Sequence, residues 1–217
     1  MESAHLPRSP VGAARMREAT NGASETAREG WLPADPGPLG LAAFALTTFV
    51  LSMFNAGLVS EGGEPVVLGL ALAYGGVAQL LAGMWEFRTG NTFGAVAFTS
   101  FGGFWLSFWA YVTFYADSVP EADAGHAVGL YLIAWAIFTL YMFVASLRTT
   151  AAIATVFALL AITFLLLGIG DAGGNETIGK AGGWVGLATA AAAWYASFAA
   201  VTNSTFGRTV LPVRSLK

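Results

Sequence analysis

The chain has 217 residues, of which 56% are hydrophobic and only 11% are charged, and its mean hydropathy is +0.64. This composition is typical of a membrane protein and excludes an ordinary soluble domain. The net charge of -3 excludes nucleic acid as a partner, and the absence of cysteine excludes disulfides, iron–sulfur clusters and thiolate zinc sites.

The first 34 residues mix Arg, Glu, Ser, Ala and Gly without a sustained apolar period. Such a segment cannot bury enough apolar surface to offset the entropy that ordering would cost. We therefore expect residues 1–34 to form a disordered tail.

Six stretches free of Asp, Glu, Lys and Arg follow, covering residues 36–60, 65–85, 89–116, 124–147, 149–170 and 181–207. Each is long enough for a helix that spans a bilayer, which needs about 20 mostly apolar residues. One charge at mid-bilayer costs roughly 2.5 to 3.5 kcal/mol, so windows without charge are the expected membrane segments. The sequence predicts an all-α membrane protein with a bundle of six transmembrane helices over residues 35–207 and a short tail over 208–217.

Basic residues occur almost entirely in the termini and in every second loop between these windows, which lie on the same side of the membrane. The N-terminal segment, the second-to-third loop, the fourth-to-fifth loop and the C-terminus hold all ten Lys and Arg residues except Lys180. The alternate loops are acidic. Because Lys and Arg in short loops stay on the cytoplasmic side, both termini and both tails are expected in the cytoplasm.

One polar stripe runs along the first window and consists of Phe44, Thr48, Ser52 and Asn55. Spacings of four, four and three residues place these side chains on one helix face. Two interpretations remain open. Either the hydroxyls bond to carbonyls of their own helix and Asn55 joins two helices, or the stripe lines the path of a solute.

The second window is rich in glycine, which predicts close approach of helix backbones. Tyr74 and Gln79 are the exceptions, because a buried phenol and a buried amide each need a partner, and we expect both to face a wet interior. The third window sets hydrogen-bonding residues, among them Asn91, Thr92 and Ser100, between large aromatic residues. Pore lining and tight packing both give that pattern.

The windows contain no carboxylate, lysine or arginine, and their one histidine, His126, is peripheral. A buried proton relay, a catalytic triad, a Schiff-base lysine and a histidine-ligated haem therefore lack their residues, so neither an enzyme nor a cofactor is expected. Hydroxyls, amides and aromatic walls suit a small anion or a neutral molecule better than a metal cation.

The start of the first window reads Asp35-Pro36-Gly37-Pro38-Leu39-Gly40-Leu41 and resembles the N-P-A-P-L-G-L signature of the acetate uptake transporter family. The other matching stretches occur in order along the chain, and they are Y-G-G at 74–76 with Gln79, G-N-T-F-G at 90–94, A-F-T-S at 97–100, F-W-L at 104–106 and F-G-R-T-V-L-P at 206–212.

The resemblance implies a plasma-membrane protein that carries acetate and related short monocarboxylates, in some members succinate. It also implies a homohexamer with a central pore in each protomer. In the family this pore narrows at a hydrophobic ring, which the motifs match to Phe44, Phe101 and Leu160. Family members commonly have Tyr where Phe101 stands, so this ring lacks a hydroxyl.

The signature residues from Asp35 to Gly40 would lie at a pore entrance. Asp35 replaces the first Asn of the signature and Gly37 replaces its Ala. The carboxylate of Asp35 would either act on anions at that entrance or cap the first helix.

Three hypotheses follow. The first is a passive or proton-linked pore for acetate, lined by Thr48, Ser52, Asn55, Tyr74, Gln79, Asn91, Thr92 and Ser100. The second is a channel for a small neutral solute such as ammonia, which an uncharged lining also permits. The third is a membrane-embedded assembly or sensor protein whose small-residue faces serve oligomerisation.

Overall fold

The computed structural model describes Trp31 and residues 33–216. Within that part of the chain, the helices that are long and apolar enough to cross a membrane are Gly37–Asn55, Val66–Thr89, Thr92–Ser118, Glu121–Ser146, Ala151–Ala172 and Glu176–Phe206, called the first to sixth helices below. The predicted six-helix membrane bundle is confirmed. The tail predicted over residues 1–34 lies outside the described residues except for Trp31, Pro33 and Ala34.

The helix ends differ from the charge-free windows for identifiable reasons. The first helix ends at Asn55, shortly before Gly57 adopts a left-handed φ of 72°. The fourth and sixth helices begin earlier than their windows, and each carries an acidic residue in its first turn, Glu121 and Glu176 respectively. A carboxylate near a helix N-terminus is stabilised by the helix dipole, so a helix continues through a charge that ends a charge-free window.

The second and third helices are not regular throughout. The second consists of the α-helical segments Val66–Leu72 and Gln79–Thr89, separated by a π-helical segment, Ala73–Ala78. The third continues from its α-helical part, Thr92–Ala110, into a π-helical segment, Tyr111–Tyr115, and a short 3-10 turn, Ala116–Ser118. Wide turns of this kind are frequent at functional sites.

The fifth helix packs against the fourth and the sixth, the sixth also packs against the first, and the second packs along the third. Glycine permits the closest approach between the second and third helices. A Cβ atom added at Gly102 would lie 2.8 Å from the backbone nitrogen of Leu80, and one at Gly83 would meet the backbone of Thr99. The glycine-rich second window therefore packs tightly, as its composition predicts.

The segment after the sixth helix folds back onto the bundle. The Asn203 side chain accepts hydrogen bonds from the backbone N–H groups of Val210 and Leu211 at 2.7 and 2.9 Å. The backbone N–H of Ala151 donates to the carbonyl of Arg214 at 2.7 Å. The N–H of Ala152 likewise donates to the carbonyl of Val213 at 3.3 Å. The C-terminal segment thereby satisfies two of the N–H groups that the start of the fifth helix leaves without a helical partner.

Candidate permeation pathway

The polar stripe of the first helix faces a cavity of about 490 Å³. Helices one, three, four and five contribute to its wall. We call it the hydroxyl cavity, after the hydroxyl groups of Thr48, Ser52, Tyr111, Tyr131 and Thr163 that line it. The predicted stripe of the first helix, including Phe44 and Asn55, lies on this one cavity.

Some of these hydroxyls are bonded and others are not. Tyr131 shares a 2.7 Å hydrogen bond with Ser107, and Thr163 donates to the carbonyl of Leu159 at 2.9 Å. The hydroxyl oxygen of Thr48 and the indole nitrogen of Trp105, another wall residue, are both buried without a hydrogen-bond partner.

A second cavity, of about 450 Å³, lies where the first, third and fifth helices begin. We call it the tail cavity, because Val213 and Ser215 of the C-terminal segment form part of its wall. Two carboxylates also line it, those of Asp35 and Glu86.

A narrow space of about 20 Å³ separates the two cavities. Phe44 and Leu160 line both this space and the hydroxyl cavity, while Leu41, Ala97, Phe98 and Phe157 line both this space and the tail cavity. We call it the throat. It has room for about one water molecule, so a solute as large as acetate passes only if side chains move.

The throat is walled by close-packed aromatic rings. Phe101 lies with its ring centroid 5.8 Å from that of Phe44, 5.3 Å from Phe138 and 6.0 Å from Phe157. The three residues matched to the family ring are each at most 4% exposed. Phe44, Phe101 and Leu160 thus meet at the narrowest point, and rotation of an aromatic ring is the smallest movement that would widen it.

A third cavity, of about 400 Å³, adjoins the hydroxyl cavity at the end remote from the throat. The two share Asn55, Glu64, Leu167 and Asp171 as wall residues. We call it the mouth. Lys180 also lines it and forms an ion pair with Glu176. The hydroxyl cavity therefore opens past a predominantly acidic rim.

Some of the other predicted lining residues line a cavity in the structure, and others line none. Gln79 is 1% exposed and lines the throat, and its amide oxygen has no hydrogen-bond partner. Asn91 lines the tail cavity and caps the third helix by accepting a 3.2 Å hydrogen bond from the backbone N–H of Gly94. Tyr74, Thr92 and Ser100 line none of the cavities described above.

The signature residues surround the tail cavity and the start of the first helix. Asp35, Gly37 and Pro38 line the cavity, and the Asp35 carboxylate accepts a 2.8 Å hydrogen bond from the Gly37 N–H. Pro36 is buried, whereas Leu39 is exposed. A Cβ atom at Gly40 would lie 2.6 Å from the ring of Phe98, so the glycine makes room for that ring.

The membrane helices extend beyond the charge-free windows, and the second helix thereby includes a buried carboxylate, Glu86. The second helix continues to Thr89, and Glu86 is only 2% exposed. Its carboxylate accepts a 3.0 Å hydrogen bond from the Thr89 hydroxyl and a further bond from Asn91. These partners offset the cost of burying the carboxylate. The charge-free criterion missed this residue because it ended the second window at Trp85.

The fifth helix likewise carries a carboxylate, Asp171, that lines the hydroxyl cavity and the mouth. Among the described residues no group of three His, Asp or Glu side chains could hold a metal ion. Trp105, which the sequence analysis did not name as a lining residue, also forms part of the hydroxyl-cavity wall. The spacing of aromatic residues along the third window does not distinguish a residue that lines a cavity from one in a packed core.

Known proteins resemble this chain over most of its length. A model of the GPR1/FUN34/yaaH family matches residues 24–217. The Ammonia transport outward protein 2 of Saccharomyces cerevisiae is 47% identical over 175 residues, which cover 78% of this chain and 62% of that protein. The Succinate-acetate/proton symporter SatP of Escherichia coli is 41% identical over 180 residues, which cover 83% of this chain and 95% of that protein.

A solved structure, described as the structure of the bacterial acetate channel SatP, matches with a TM-score of 0.78 and 41% sequence identity. The match covers 83% of this chain and 99% of that chain. By contrast, the chain spans only 62 to 65% of the length of three fungal relatives that are 45 to 48% identical to it.

Proposed function

The chain belongs to the GPR1/FUN34/yaaH family, and from this premise we propose that it is a membrane channel or transporter for acetate and related short monocarboxylates. The family predicted from the signature motifs is the family that the comparisons identify. Relatives are named as an acetate permease, a succinate-acetate/proton symporter and an acetate channel. They are transport proteins, and the chain is not an enzyme.

The observation that carries the proposal is the throat between two cavities. A carboxylate with one methyl group is small enough to pass a gap that a modest ring rotation opens, whereas each additional methylene enlarges the opening required. We propose Phe44, Phe101 and Leu160 as the constriction. A hydrophobic pocket distinguishes substrates by one methylene with a factor of about 10 to 200, which sets the scale of the selectivity expected here.

The remaining predicted lining residues are proposed in two groups. Thr48, Ser52, Asn55 and Gln79 would contact the substrate next to the throat and within it, because they line the hydroxyl cavity or the throat. Asn91 and the signature residues would shape the tail-cavity entrance. Tyr74, Thr92 and Ser100 have no support from the cavities and remain predictions from sequence.

The neutral acid, or the anion together with a proton, is the proposed permeating species. Carboxylates lie on both sides of the throat, Glu64 and Asp171 on one side and Asp35 and Glu86 on the other. Like charges separated by 4 Å repel by about 1 kcal/mol in water and by more in a less polar surrounding. A neutral acid avoids that repulsion, so uptake should rise as the external pH is lowered.

The second candidate is ammonia, supported by the name of the yeast relative and by a throat whose lining residues carry no charge. Ammonia would not compete with a carboxylate for hydrogen-bond donors such as the Thr48 hydroxyl. Competition by unlabelled acetate against flux of a labelled amine analogue therefore separates the two candidates. Amine flux that unlabelled acetate does not reduce supports ammonia, whereas uptake of labelled acetate without amine flux supports the carboxylate pathway.

We also propose a plasma-membrane location with both termini in the cytoplasm, supported by the basic loops on one side of the bundle. The tail cavity would then open to the cytoplasm and the mouth to the outside. A homohexamer is proposed from the family resemblance. Native mass spectrometry in detergent tests that number, and a monomer would contradict it.

The decisive experiment for function is uptake of labelled acetate into proteoliposomes that contain the purified protein, with an imposed pH gradient. We expect uptake above that of protein-free liposomes, with competition that weakens from acetate to longer acids. Uptake equal to protein-free liposomes would contradict the proposal.

A further inference from the structure

The third and fourth helices face each other across the hydroxyl cavity. The third packs mainly on the second helix, and the fourth packs mainly on the fifth, so their own backbones approach each other closely at few positions. The cavity wall includes, from these two helices, Phe104, Trp105, Phe108, Tyr111, Ala127, Val128, Tyr131 and Leu132. The interactions that hold these two helices at a fixed separation therefore set the width of the cavity between them.

A row of aromatic rings joins the third helix to the fourth. Next to the throat, the ring centroid of Phe101 lies 5.3 Å from that of Phe138 and 6.0 Å from that of Trp135. One turn further along the third helix, the ring of Phe104 lies 5.3 Å from Trp135 and stacks on Tyr131 at 5.7 Å. We call these five residues the aromatic seam. Because Phe101 lines the throat, the seam connects the throat wall to the fourth helix.

Hydrogen bonds across the seam are confined to the Tyr131 hydroxyl. It lies 2.7 Å from the Ser107 hydroxyl and 3.1 Å from the carbonyl oxygen of Phe104. Among the described residues no other hydrogen bond joins these two helices. Aromatic pairs are favourable over centroid distances of about 4.5–7 Å, whereas O–H···O bonds are confined to about 2.5–3.0 Å. The Tyr131 hydroxyl therefore restricts the separation of the helices more closely than the rings do.

Both hydroxyl protons at this position are used within the protein. Ser107 donates either to the Phe104 carbonyl, at 2.9 Å, or to Tyr131, and Tyr131 donates either to Ser107 or to the same carbonyl. Neither proton is left for a solute in either arrangement. Ser107 also lines none of the cavities described above. These hydroxyls therefore hold the two helices together and do not bind substrate.

We propose that the Tyr131 hydroxyl is a latch that holds the third helix against the fourth and thereby positions Phe101 in the throat. Without the latch the two helices separate slightly while their rings stay in contact, and Phe101 gains room to turn away from Phe44. Tyr131 is thus a positioning residue that keeps the throat selective for short acids. This inference rests on the proposed function and adds to it a residue outside the throat that controls the width of the throat.

The test begins with Tyr131→Phe, which keeps the stacked ring and removes both bonds to the third helix. Uptake of labelled acetate into proteoliposomes is measured with unlabelled butyrate as the competitor. Butyrate should compete about fivefold more strongly than in the wild type, the factor that corresponds to the contribution of about one hydrogen bond. Ser107→Ala leaves the bond from Tyr131 to the carbonyl and should give a smaller change.

The double variant should match Tyr131→Phe alone, because Ser107→Ala then removes nothing further between the helices. An effect equal to the product of the two single effects would overturn the latch. Since Ser107 does not line the pathway, a change of selectivity in Ser107→Ala cannot come from lost contact with the substrate.

Tyr195→Phe is the matched control. The Tyr195 hydroxyl also donates a 2.7 Å hydrogen bond, to the carbonyl of Pro212, and Tyr195 lines none of the cavities. Both tyrosine variants lose stabilising bonds, so a lower unfolding midpoint is expected of each. Only competition by butyrate separates a latch from a merely structural tyrosine. Equal competition in Tyr131→Phe and Tyr195→Phe would overturn the proposal.

A second measurement does not depend on transport. Because the chain has no cysteine, spin labels can be attached at Val112→Cys on the third helix and Ile137→Cys on the fourth, two positions with exposed side chains. The distribution of distances between the labels should broaden in Tyr131→Phe and stay unchanged in Tyr195→Phe. An unchanged distribution in Tyr131→Phe overturns the latch.

Failure of the latch and failure of the proposed function give different results. If the wild-type protein does not take up acetate, the proposed function fails, and the distances between the labels alone decide whether the latch exists. If the wild-type protein takes up acetate, a broader distribution with unchanged competition by butyrate overturns the role of Tyr131 in selectivity.

Discussion

The polar side chains in the two cavities on either side of the throat differ in their hydrogen bonding. In the tail cavity these groups serve the backbone: Asp35 accepts from the Gly37 N–H, Asn91 from the Gly94 N–H and Thr150 from the Ile153 N–H. In the wall of the hydroxyl cavity, the hydroxyl oxygen of Thr48 and the indole nitrogen of Trp105 are buried without a hydrogen-bond partner.

The cause of this difference is the position of each cavity along the helices. The tail cavity lies where three helices begin, and the first N–H groups of a helix have no helical partner and need side-chain acceptors. The hydroxyl cavity lies along the helices, where the backbone is already satisfied. Side chains there have no helix end to cap, although Tyr131 and Thr163 still form hydrogen bonds within the bundle. We therefore propose a mainly architectural role for the tail cavity and a role in recognition for the hydroxyl cavity.

The largest expected effect is a change of substrate selectivity when the throat between the two cavities is widened. Leu160→Ala should increase uptake of butyrate relative to acetate by at least about tenfold, because it removes a large side chain from the narrowest point. Competition of a series of unlabelled acids against labelled acetate measures the change. Ile162→Ala is the control, since Ile162 is 45% exposed on the outer surface of the same helix. Equal selectivity in the two variants would contradict the placement of the throat.

Next in size is the effect of removing the buried carboxylate of the tail cavity. Glu86→Leu should lower the free energy of unfolding by about 1–3 kcal/mol, because it leaves the Asn91 amide without its acceptor and the Thr89 hydroxyl with only the backbone carbonyl of residue 86. Glu86→Gln, which keeps an acceptor oxygen, should lower it less. Thermal unfolding in detergent measures both. The KM for acetate should stay at the wild-type value, and a raised KM with unchanged stability would assign Glu86 to recognition instead.

A smaller effect is expected at the C-terminal segment. Asn203→Ala removes three hydrogen bonds to the backbone of Val210 and Leu211, and should speed tryptic cleavage after Arg208 by about fivefold. Asn175→Ala removes a cap at the opposite end of the same helix and should leave that rate unchanged. Equal cleavage rates in the two variants would contradict the role of Asn203 in holding the segment.

The smallest effect is expected from Phe101→Tyr, which adds to the throat the hydroxyl common in the family. The unpartnered amide oxygen of Gln79 lines the same throat and can accept a hydrogen bond. We expect the KM for acetate to change by no more than about fivefold, because one hydrogen bond contributes about 1 kcal/mol. A tenfold loss of uptake would indicate that the throat must be free of hydroxyls.

The fold was predictable from sequence because the cost of charge in a bilayer acts on every residue of a window. The stripe of Thr48, Ser52 and Asn55 was also visible, since the first helix is regular and a helical period identifies its face. The sequence did not show which way each helix faces its neighbours. A π-helical segment shifts the phase of the second helix, which contains Tyr74, and no hydropathy pattern reveals it.

Glu86 escaped prediction for a different reason. Its burial depends on a threonine and an asparagine on the following turn and loop, which only the folded chain brings to the carboxylate. The missing partners of Thr48 and Trp105 were equally hidden, because the lack of a hydrogen bond is a property of geometry. Composition identified the membrane helices, whereas the details of recognition depend on the packing of side chains.

The most direct test of a pathway made of two cavities and one throat uses the fact that the chain has no cysteine. Ser52→Cys places a thiol on the hydroxyl cavity and Ala200→Cys places one on the tail cavity. In right-side-out vesicles, a membrane-impermeant thiol reagent outside should modify only Ser52→Cys and block acetate uptake, and the reagent inside should modify only Ala200→Cys. Modification of both thiols from the same side, or of neither, would contradict a pathway closed at the throat.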